Sequence, residues 1–173
     1  MSADHTGPAE GPAARVRRLE GLLERRGLID PERLDEGFRQ RLVADANAAL
    51  PELGLSMGGG IQEQQLKVVQ NTADSHNVIV CTLCSCYPIA LLGPSPTWYK
   101  SEAYRSRVVR DPRAVLREFG FELDPRVTIS VWDASAEARY MVLPRRPAGT
   151  EDLGEPELAA LVTRNGLIGV APV

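Results

Sequence analysis

Apolar residues recur at helical spacing in two stretches of the N-terminal third of the chain. The first stretch is predicted to be a helix that ends at Gly27, because glycine commonly follows the last helical residue. Its apolar positions are Val16, Leu19, Leu22 and Leu23. This amphipathic helix either packs on its own domain or forms an arm that docks on a partner subunit.

A second helix is predicted to start at Asp30-Pro31, since an N-cap aspartate followed by proline is a common helix start. Pro51 and Gly54 are expected to end it. Its apolar face repeats at steps of four through Leu34, Phe38, Leu42, Ala46 and Leu50. Residues 1–12, rich in Gly, Pro and Ala, are predicted to be a disordered tail, which leaves residues 13–54 as a helical N-terminal arm.

Short apolar segments with β-branched or alternating residues predict strands in the rest of the chain. These segments are 66–70, 77–80, 127–132 and 140–143, with turns at 71–75 and 133–135. Further helices are predicted at 101–110, from Asp111-Pro112 to Gly120, and around Leu158 with Asn165-Gly166 as its end. Helices that flank a strand-rich middle indicate an α+β fold with stacked layers.

The charge and the hydropathy of the chain argue against two classes of partner. With 173 residues and a formal net charge of −3, the chain lacks the strong positive field of a nucleic-acid-binding domain. No apolar run approaches the ~20 residues of a membrane span, and no basic and then apolar leader opens the chain. We therefore predict a cytoplasmic protein that binds neither nucleic acid nor a membrane.

All three cysteines of the chain lie in the segment Cys81-Thr82-Leu83-Cys84-Ser85-Cys86. In a reducing compartment, such a cluster indicates metal or redox chemistry and not a disulfide scaffold. A Cys81–Cys84 redox pair would leave Cys86 without a role, and an iron–sulfur cluster lacks a fourth cysteine. Structural zinc stays open because His76 could complete four ligands, although donors so close together fit the usual zinc spacing poorly.

Backbone nitrogens offer a different use of the same segment. The thiolates of Cys84 and Cys86 flank the peptide nitrogens of Ser85 and Cys86, so two deprotonated amides would complete a plane of two sulfur and two nitrogen donors. Cys81 could then supply an axial thiolate and leave the sixth position open. Such strong donors suit low-spin trivalent cobalt or iron. The open position would allow Lewis-acid activation of a substrate or of water.

The segment VCTLCSCYP, residues 80–88, resembles the metal-binding motif of nitrile hydratase α subunits and of the related catalytic subunit of thiocyanate hydrolase. The resemblance covers roughly residues 38–172. It continues through Phe38–Leu42, Asn71-Thr72, His76–Val78, Trp98–Lys100, Arg110–Arg113, Val131–Asp133, Leu143-Pro144, Arg146–Glu151 and Leu167–Val170. It implies the layered α-β-β-α fold of these α subunits, with residues 55–173 as the metal-binding catalytic domain.

The resemblance also implies the ligand set. Cys81, Cys84 and Cys86 would be the sulfur ligands, and the amides of Ser85 and Cys86 the nitrogen ligands. Cys84 would be oxidised to sulfinate and Cys86 to sulfenate, which are known products of thiol oxidation. Thr82 resembles the cobalt class, so Co(III) is the expected ion and Fe(III) the alternative.

Other residues are matched by their position relative to the motif. Gln62 corresponds to a glutamine beside the substrate pocket, and Arg139 to an arginine that would hold the anionic oxygens of the oxidised sulfurs. Asp133 and Glu137 correspond to acidic residues that orient groups of the partner subunit. The alternative is an exposed strand arginine and two solvated carboxylates, while His76 is interpreted as a structural histidine. The predicted catalytic residues are Cys86, Ser85, Gln62 and Arg139.

The implied activity is hydration of a nitrile to an amide, with a β-type partner that is one chain or two and with an activator protein that loads the metal. The alternatives are the catalytic subunit of a thiocyanate hydrolase and a non-catalytic subunit with structural zinc. Ile89 stands where the family usually has tryptophan, and the segment between the two N-terminal helices is short. Ile89 would reshape the pocket wall and favours a bulkier substrate. The short segment favours a three-subunit enzyme, of the kind that acts on a nucleoside nitrile.

Overall fold

The computed structural model describes residues 36–58, 64–84 and 86–173. The predicted tail, the first helix and the start of the second helix lie outside the described residues, as do the predicted site residues Gln62 and Ser85. The division into a tail (1–12), an arm (13–54) and a catalytic domain (55–173) stays a prediction.

The predicted second helix is interrupted at Asp45. Helix α1 spans Glu36–Ala44, α2 spans Ala46–Ala49, and a 3-10 turn covers Leu50–Leu53. Asp45 adopts an extended backbone (φ −151°, ψ 93°), and its side chain accepts a hydrogen bond from Ala48 N. An aspartate that caps a new helix ends the preceding one, which spacing of apolar residues alone does not reveal. The predicted apolar face is nevertheless confirmed, because Phe38, Leu42, Ala46 and Leu50 are buried.

The remaining elements largely follow the predicted segments. They are β1 (Gln65–Gln70), β2 (Ser75–Val80), α3 (Ile89–Leu92), a 3-10 turn (Thr97–Lys100), α4 (Glu102–Val108), α5 (Pro112–Glu118), β3 (Thr128–Asp133), β4 (Ala138–Leu143), α6 (Glu155–Leu161) and α7 (Arg164–Ile168). Asp111 caps α5 as expected, with its side chain accepting from Ala114 N at 2.9 Å. Ser101 caps α4 in the same way.

The predicted end of the last helix is wrong. Asn165-Gly166 does not close a helix but lies inside α7, which begins after Thr163. The Thr163 hydroxyl accepts a hydrogen bond from Gly166 N at 3.0 Å and so starts a new helix two residues after α6 ends. The left-handed residue that ends α7 is Gly169, with φ +90°.

The strands pair in parallel and between distant parts of the chain. Strand β1 pairs with β4, with Leu66 opposite Arg139, and β2 pairs with β3, with Val80 opposite Asp133. Strand β2 therefore lies in a different sheet from β1, which precedes it in sequence, and β4 lies in a different sheet from β3. Parallel pairing needs a long crossover, and helices α3, α4 and α5 form the one that joins β2 to β3.

Two apolar clusters define the layers. The first packs α1 and α2 against one face of the β1–β4 sheet, and its members are Phe38, Leu42, Ala46, Ala49, Leu50, Met57, Leu66 and Val68. The second, the central core, fills the space between the two sheets and beneath α4 and α5. It includes Val78, Ile79, Val80, Tyr99, Tyr104, Val108, Val115, Leu116 and Val142. The predicted α+β fold with α-β-β-α layers is confirmed.

In the described part of the chain, no helix combines the length and the apolar character needed to cross a membrane.

A buried polar network joins β2 to the C-terminal segment. His76 Nε2 lies 2.7 Å from Gly169 O, and Asn71 Nδ2 lies 3.1 Å from His76 Nδ1. Because a carbonyl only accepts, the ring is the neutral tautomer that donates from Nε2 and accepts at Nδ1. Both ring nitrogens are thus engaged, which confirms His76 as a structural residue.

The free energy of unfolding is expected to fall as the pH drops below about 6.5. Burial lowers the pKa of His76 beneath its usual 6.5, against a smaller raising effect of the hydrogen bond to Gly169. The unfolded chain then binds a proton before the folded chain does, so this stability is full above pH 6.5 and is lost below it. Urea unfolding between pH 7 and pH 5 measures the slope, which H76Q should flatten. The control is H5Q, at the other histidine of the chain. If the slope persisted in H76Q and disappeared in H5Q, the assignment to His76 would be contradicted.

Candidate metal centre

The cysteine segment begins where two parallel strands end side by side. Val80, the last residue of β2, pairs with Asp133, the last residue of β3, and Ala134 N donates to Val80 O at 2.7 Å. Cys81 follows directly and is fully buried, Cys84 is exposed, and Cys86 is 8% exposed. The segment therefore leaves the core at Cys81, reaches the surface at Cys84 and returns at Cys86.

The three cysteine sulfurs converge on one point. Cys81 Sγ lies 3.3 Å from Cys84 Sγ, and Cys84 Sγ lies 3.0 Å from Cys86 Sγ. All three sulfurs are within 4.8 Å of one another. These separations exceed the ~2.05 Å of a disulfide bond. The three thiols are thus not joined by a disulfide and are close enough for one metal ion to bind all of them.

The sulfur separations also test the kind of ion. Two thiolates bound to one ion at about 2.3 Å lie roughly 3.3 Å apart at a right angle and roughly 3.8 Å apart at a tetrahedral angle. The observed 3.3 and 3.0 Å are nearer to the right-angle value, and the third pair of sulfurs lies within 4.8 Å. Among the described residues, no histidine or carboxylate lies close enough to the three cysteines to be a fourth ligand of the same ion. Both ring nitrogens of His76 form hydrogen bonds with other residues, Asn71 and Gly169. His76 therefore does not complete a four-ligand zinc site with these cysteines.

Asp133 fixes the start of the cysteine segment. Its Oδ1 accepts from Thr82 N at 2.9 Å, and its Oδ2 accepts from the Thr82 hydroxyl at 2.5 Å. Both carboxylate oxygens are therefore used within this chain. Glu137, the other predicted acidic residue, is exposed and accepts from the Ser135 hydroxyl at 2.9 Å.

Side chains from the following helices hold the backbone carbonyls of the segment. Arg105 Nη1 donates to Cys84 O at 3.0 Å, and Tyr99 OH donates to Cys86 O at 3.0 Å. Tyr104 OH donates to Ile79 O at 2.6 Å, just before the segment. None of these three residues is among the predicted site residues. The sequence signal for them is a stretch of basic and aromatic residues within 25 residues of the cysteines. Such stretches are too common to identify residues that support a metal site.

Arg139 lies on β4 and is half-buried, so the alternative of an exposed strand arginine does not hold. Its Nη1 donates to Ser135 O, while its Nε is buried and has no hydrogen-bond partner among the described residues. Burial and the hydrogen bond with Cys84 raise the pKa of the Cys86 thiol to about 12, and the charge of Arg139 opposes this rise. Cys86 therefore keeps its proton at neutral pH until a metal ion displaces it.

The comparisons with known proteins agree with this geometry. A family model described as nitrile hydratase, alpha chain, matches residues 33–171. The chain belongs to the nitrile hydratase alpha-chain family. It is 47% identical to the low-molecular-weight cobalt-containing nitrile hydratase subunit alpha of Rhodococcus rhodochrous, over 92% of this chain and 87% of that protein. Membership confirms the predicted enzyme class, a hydro-lyase subunit with a cysteine metal centre.

Two further relatives show the breadth of the family. The chain is 40% identical to the thiocyanate hydrolase subunit gamma of Thiobacillus thioparus, over 87% of this chain and 65% of that protein. It superposes with a TM-score of 0.74 on a double mutant of the Fe-type nitrile hydratase of Comamonas testosteroni Ni1. That match is 38% identical and covers 91% of this chain and 88% of the other. The family thus includes cobalt-containing, iron-type and thiocyanate-hydrolysing members on one fold.

Proposed function

We propose that this chain is the metal-bearing α subunit of an enzyme that hydrates a nitrile to the corresponding amide at a Co(III) centre. The observation that carries the proposal is the convergence of the Cys81, Cys84 and Cys86 sulfurs within 4.8 Å of one another. Cobalt is favoured over iron by Thr82 and by the cobalt-containing relatives.

The proposed ligands are the sulfurs of Cys81, Cys84 and Cys86 and the amide nitrogens of Ser85 and Cys86. Cys84, the exposed member, is the proposed sulfinate, and Cys86, the buried member, is the proposed sulfenate. Arg139 supports this assignment, because its charge acts on Cys86 and its buried Nε lacks an acceptor among the described residues. An oxygen added to a nearby sulfur would supply such an acceptor.

In the proposed mechanism, the bound ion supplies the Lewis acidity that makes the nitrile carbon electrophilic. The sulfenate oxygen of Cys86 attacks that carbon, or orients the water molecule that attacks it. Arg139 holds the oxygen in place by charge, and Gln62 positions the nitrile. Where the sulfenate oxygen itself adds to carbon, a water molecule then attacks sulfur, breaks the bond between sulfur and the transferred oxygen, and restores the sulfenate. By either route one water molecule is consumed, its oxygen either replaces the transferred oxygen on sulfur or becomes the amide oxygen, and two protons reach the nitrogen to give the amide.

Partner chains are proposed to complete the site. Leu83 is 88% exposed and Ile89 is 60% exposed, although both are large apolar residues beside the cysteine segment. A β-type subunit that covers them would bury this surface and exclude water from the ion. Ile89 also supports a bulky, nucleoside-like nitrile, and the short segment between the two predicted N-terminal helices supports a β part divided into two chains. An activator protein is proposed to load the metal.

Metal analysis and intact mass test the proposal directly. The purified complex is expected to contain cobalt, and this chain is expected to carry two added oxygen atoms on Cys84 and one on Cys86. Peptide mapping locates the oxygens, and the same protein produced without added cobalt is the control, because sulfur oxidation requires the metal. A complex that contained zinc, no cobalt or iron, and unoxidised cysteines would contradict the proposal.

Thiocyanate hydrolysis is the second candidate function, favoured by the 40% identity to the thiocyanate hydrolase subunit gamma. One pair of assays separates the two. Amide release from an aromatic or nucleoside nitrile supports the first, and release of carbonyl sulfide and ammonia from thiocyanate supports the second. Native mass spectrometry of the complex would count the partner chains, and a simple two-chain assembly would contradict the three-subunit type.

A further inference from the structure

Arg105 makes a single, specific contact with the metal-binding segment. From helix α4, its Nη1 reaches across 21 positions of sequence to donate to Cys84 O at 3.0 Å. Its Nε is buried and has no hydrogen-bond partner among the described residues. The side chain thus keeps its hydrogen bond to Cys84 O although its Nε is buried without an acceptor. Such an arrangement is unusual for a residue that only covers a surface.

The chemistry of that carbonyl explains the contact. Cys84 O belongs to the peptide bond that joins Cys84 to Ser85, so its partner atom in the amide is the Ser85 nitrogen. An amide nitrogen that binds a metal as an anion shares its negative charge with the oxygen of the same amide. A guanidinium at that oxygen forms a charge-assisted hydrogen bond, which is about twice as strong as a neutral one.

We propose that Arg105 is a positioning residue that stabilises Ser85 as a nitrogen ligand, by placing its positive charge on the Cys84 carbonyl. The inference rests on the proposed ligand set. Arg105 holds the plane of the Cys84–Ser85 peptide and offsets the charge that this peptide carries when the ion is bound. It does not touch the substrate.

Tyr99 provides the contrast within the same segment. Its hydroxyl donates to Cys86 O at 3.0 Å, but that carbonyl belongs to the peptide joining Cys86 to Tyr87. The Tyr87 nitrogen is not in the proposed ligand set, and a hydroxyl carries no charge. Of the two carbonyls, the one that accepts from a cation is therefore Cys84 O. It belongs to the same amide as the proposed ligand nitrogen of Ser85.

The surroundings of Arg105 make it a tractable target for substitution. It lines an open groove of about 430 Å³ with Thr82, Glu102, Ser106, Val109 and Arg110. Because the groove is open, water can replace a shortened side chain, and the central core is left intact. Arg107, two residues further along α4, is a matched control, since it is exposed and pairs with Glu118.

The experiment compares R105Q, R105K and R107Q, each produced as the full chain with its partner subunits under limiting cobalt. We expect R105Q to hold roughly tenfold less cobalt per chain, as for the loss of other groups that support metal ligands. The charge-transfer absorption of its residual centres should shift, because the amide donor has changed. R105K, which keeps the charge, should recover most of the cobalt, and R107Q should match the unsubstituted chain in both measurements.

Three results would overturn the inference. They are an R105Q complex with unchanged cobalt and absorption, an R105K complex as poor in cobalt as R105Q, and residual R105Q centres with an unshifted band. The last of these would indicate a merely structural role. Y99F, which lowers stability without changing a ligand amide, should leave the band in place. Zinc in the unsubstituted complex would instead overturn the proposed function, so the two failures are distinguishable.

Discussion

Replacing Cys86 by serine is expected to lower turnover by at least about 10³-fold while the chain remains folded. Serine occupies nearly the same volume, so the central core around Cys86 should not rearrange. The hydroxyl is a poor ligand for a soft-donor site and cannot form a sulfenate. Both the proposed attacking oxygen and one sulfur ligand are therefore lost together. Amide formation by the purified complex measures the effect.

The control for this variant is stability, because Cys86 is buried against Tyr99 and its neighbours. Thermal unfolding of the metal-free chain should change little between the serine variant and the unsubstituted chain. Turnover retained at more than a tenth of the original rate would contradict the role given to the Cys86 sulfur. Loss of turnover with a collapsed melting temperature would show that the residue serves the fold.

Replacing Gly169 by alanine is expected to destabilise the chain by roughly 3–5 kcal/mol, one of the larger effects of a single substitution. A Cβ at this position would lie 2.0 Å from Asn77 O and 3.0 Å from Val78 Cα. Both obstacles are backbone atoms of β2, so no side chain can move aside. The φ of +90° adds strain for any L-residue. Urea unfolding of the full chain measures the loss.

Gly120 is the matched control for Gly169. It also has a positive φ, of +75°, but a Cβ there would meet nothing within 4 Å. G120A should therefore cost only the conformational strain, on the order of 1–2 kcal/mol. Equal losses for the two variants would show that backbone strain and not the close approach to β2 governs Gly169. The G169A variant should also disturb His76, whose ring bonds the Gly169 carbonyl.

Local signals in the sequence were sufficient for much of the fold. Asp111 and Pro112 predict the cap and the first helical residue of α5, and short apolar segments with β-branched or alternating residues predict the strands. The pairing of the strands could not be predicted from such signals. The alternation of apolar and polar residues shows which face of a strand is buried, but not which strand lies beside it. The four residues between β1 and β2 could have closed a hairpin, yet they connect two sheets. The break at Asp45 was not predicted, because the apolar residues continue at helical spacing on both sides of it. In the structure, the hydrogen bond from Ala48 N to its side chain shows that a new helix begins there.

In the candidate site, too, the local features were predictable from the sequence and the contacts between distant residues were not. The spacing of Cys81, Cys84 and Cys86 limits the chemistry because all three donors belong to one short segment. The residues that hold this segment, Arg105 and Asp133, are distant in sequence and bind through a carbonyl or through Thr82. Contacts of this kind depend on tertiary structure, and no local pattern encodes them.

The order in which contacts can form during synthesis follows from the carbonyl contacts made by Tyr99, Tyr104 and Arg105. Once residue 108 has emerged, the nascent chain holds the cysteine segment together with all three of these donors. Closing loops of 13 to 25 residues costs less entropy than closing the 51 residues to Asp133. The contacts made by these three side chains can therefore form before β3 and β4 have been synthesised.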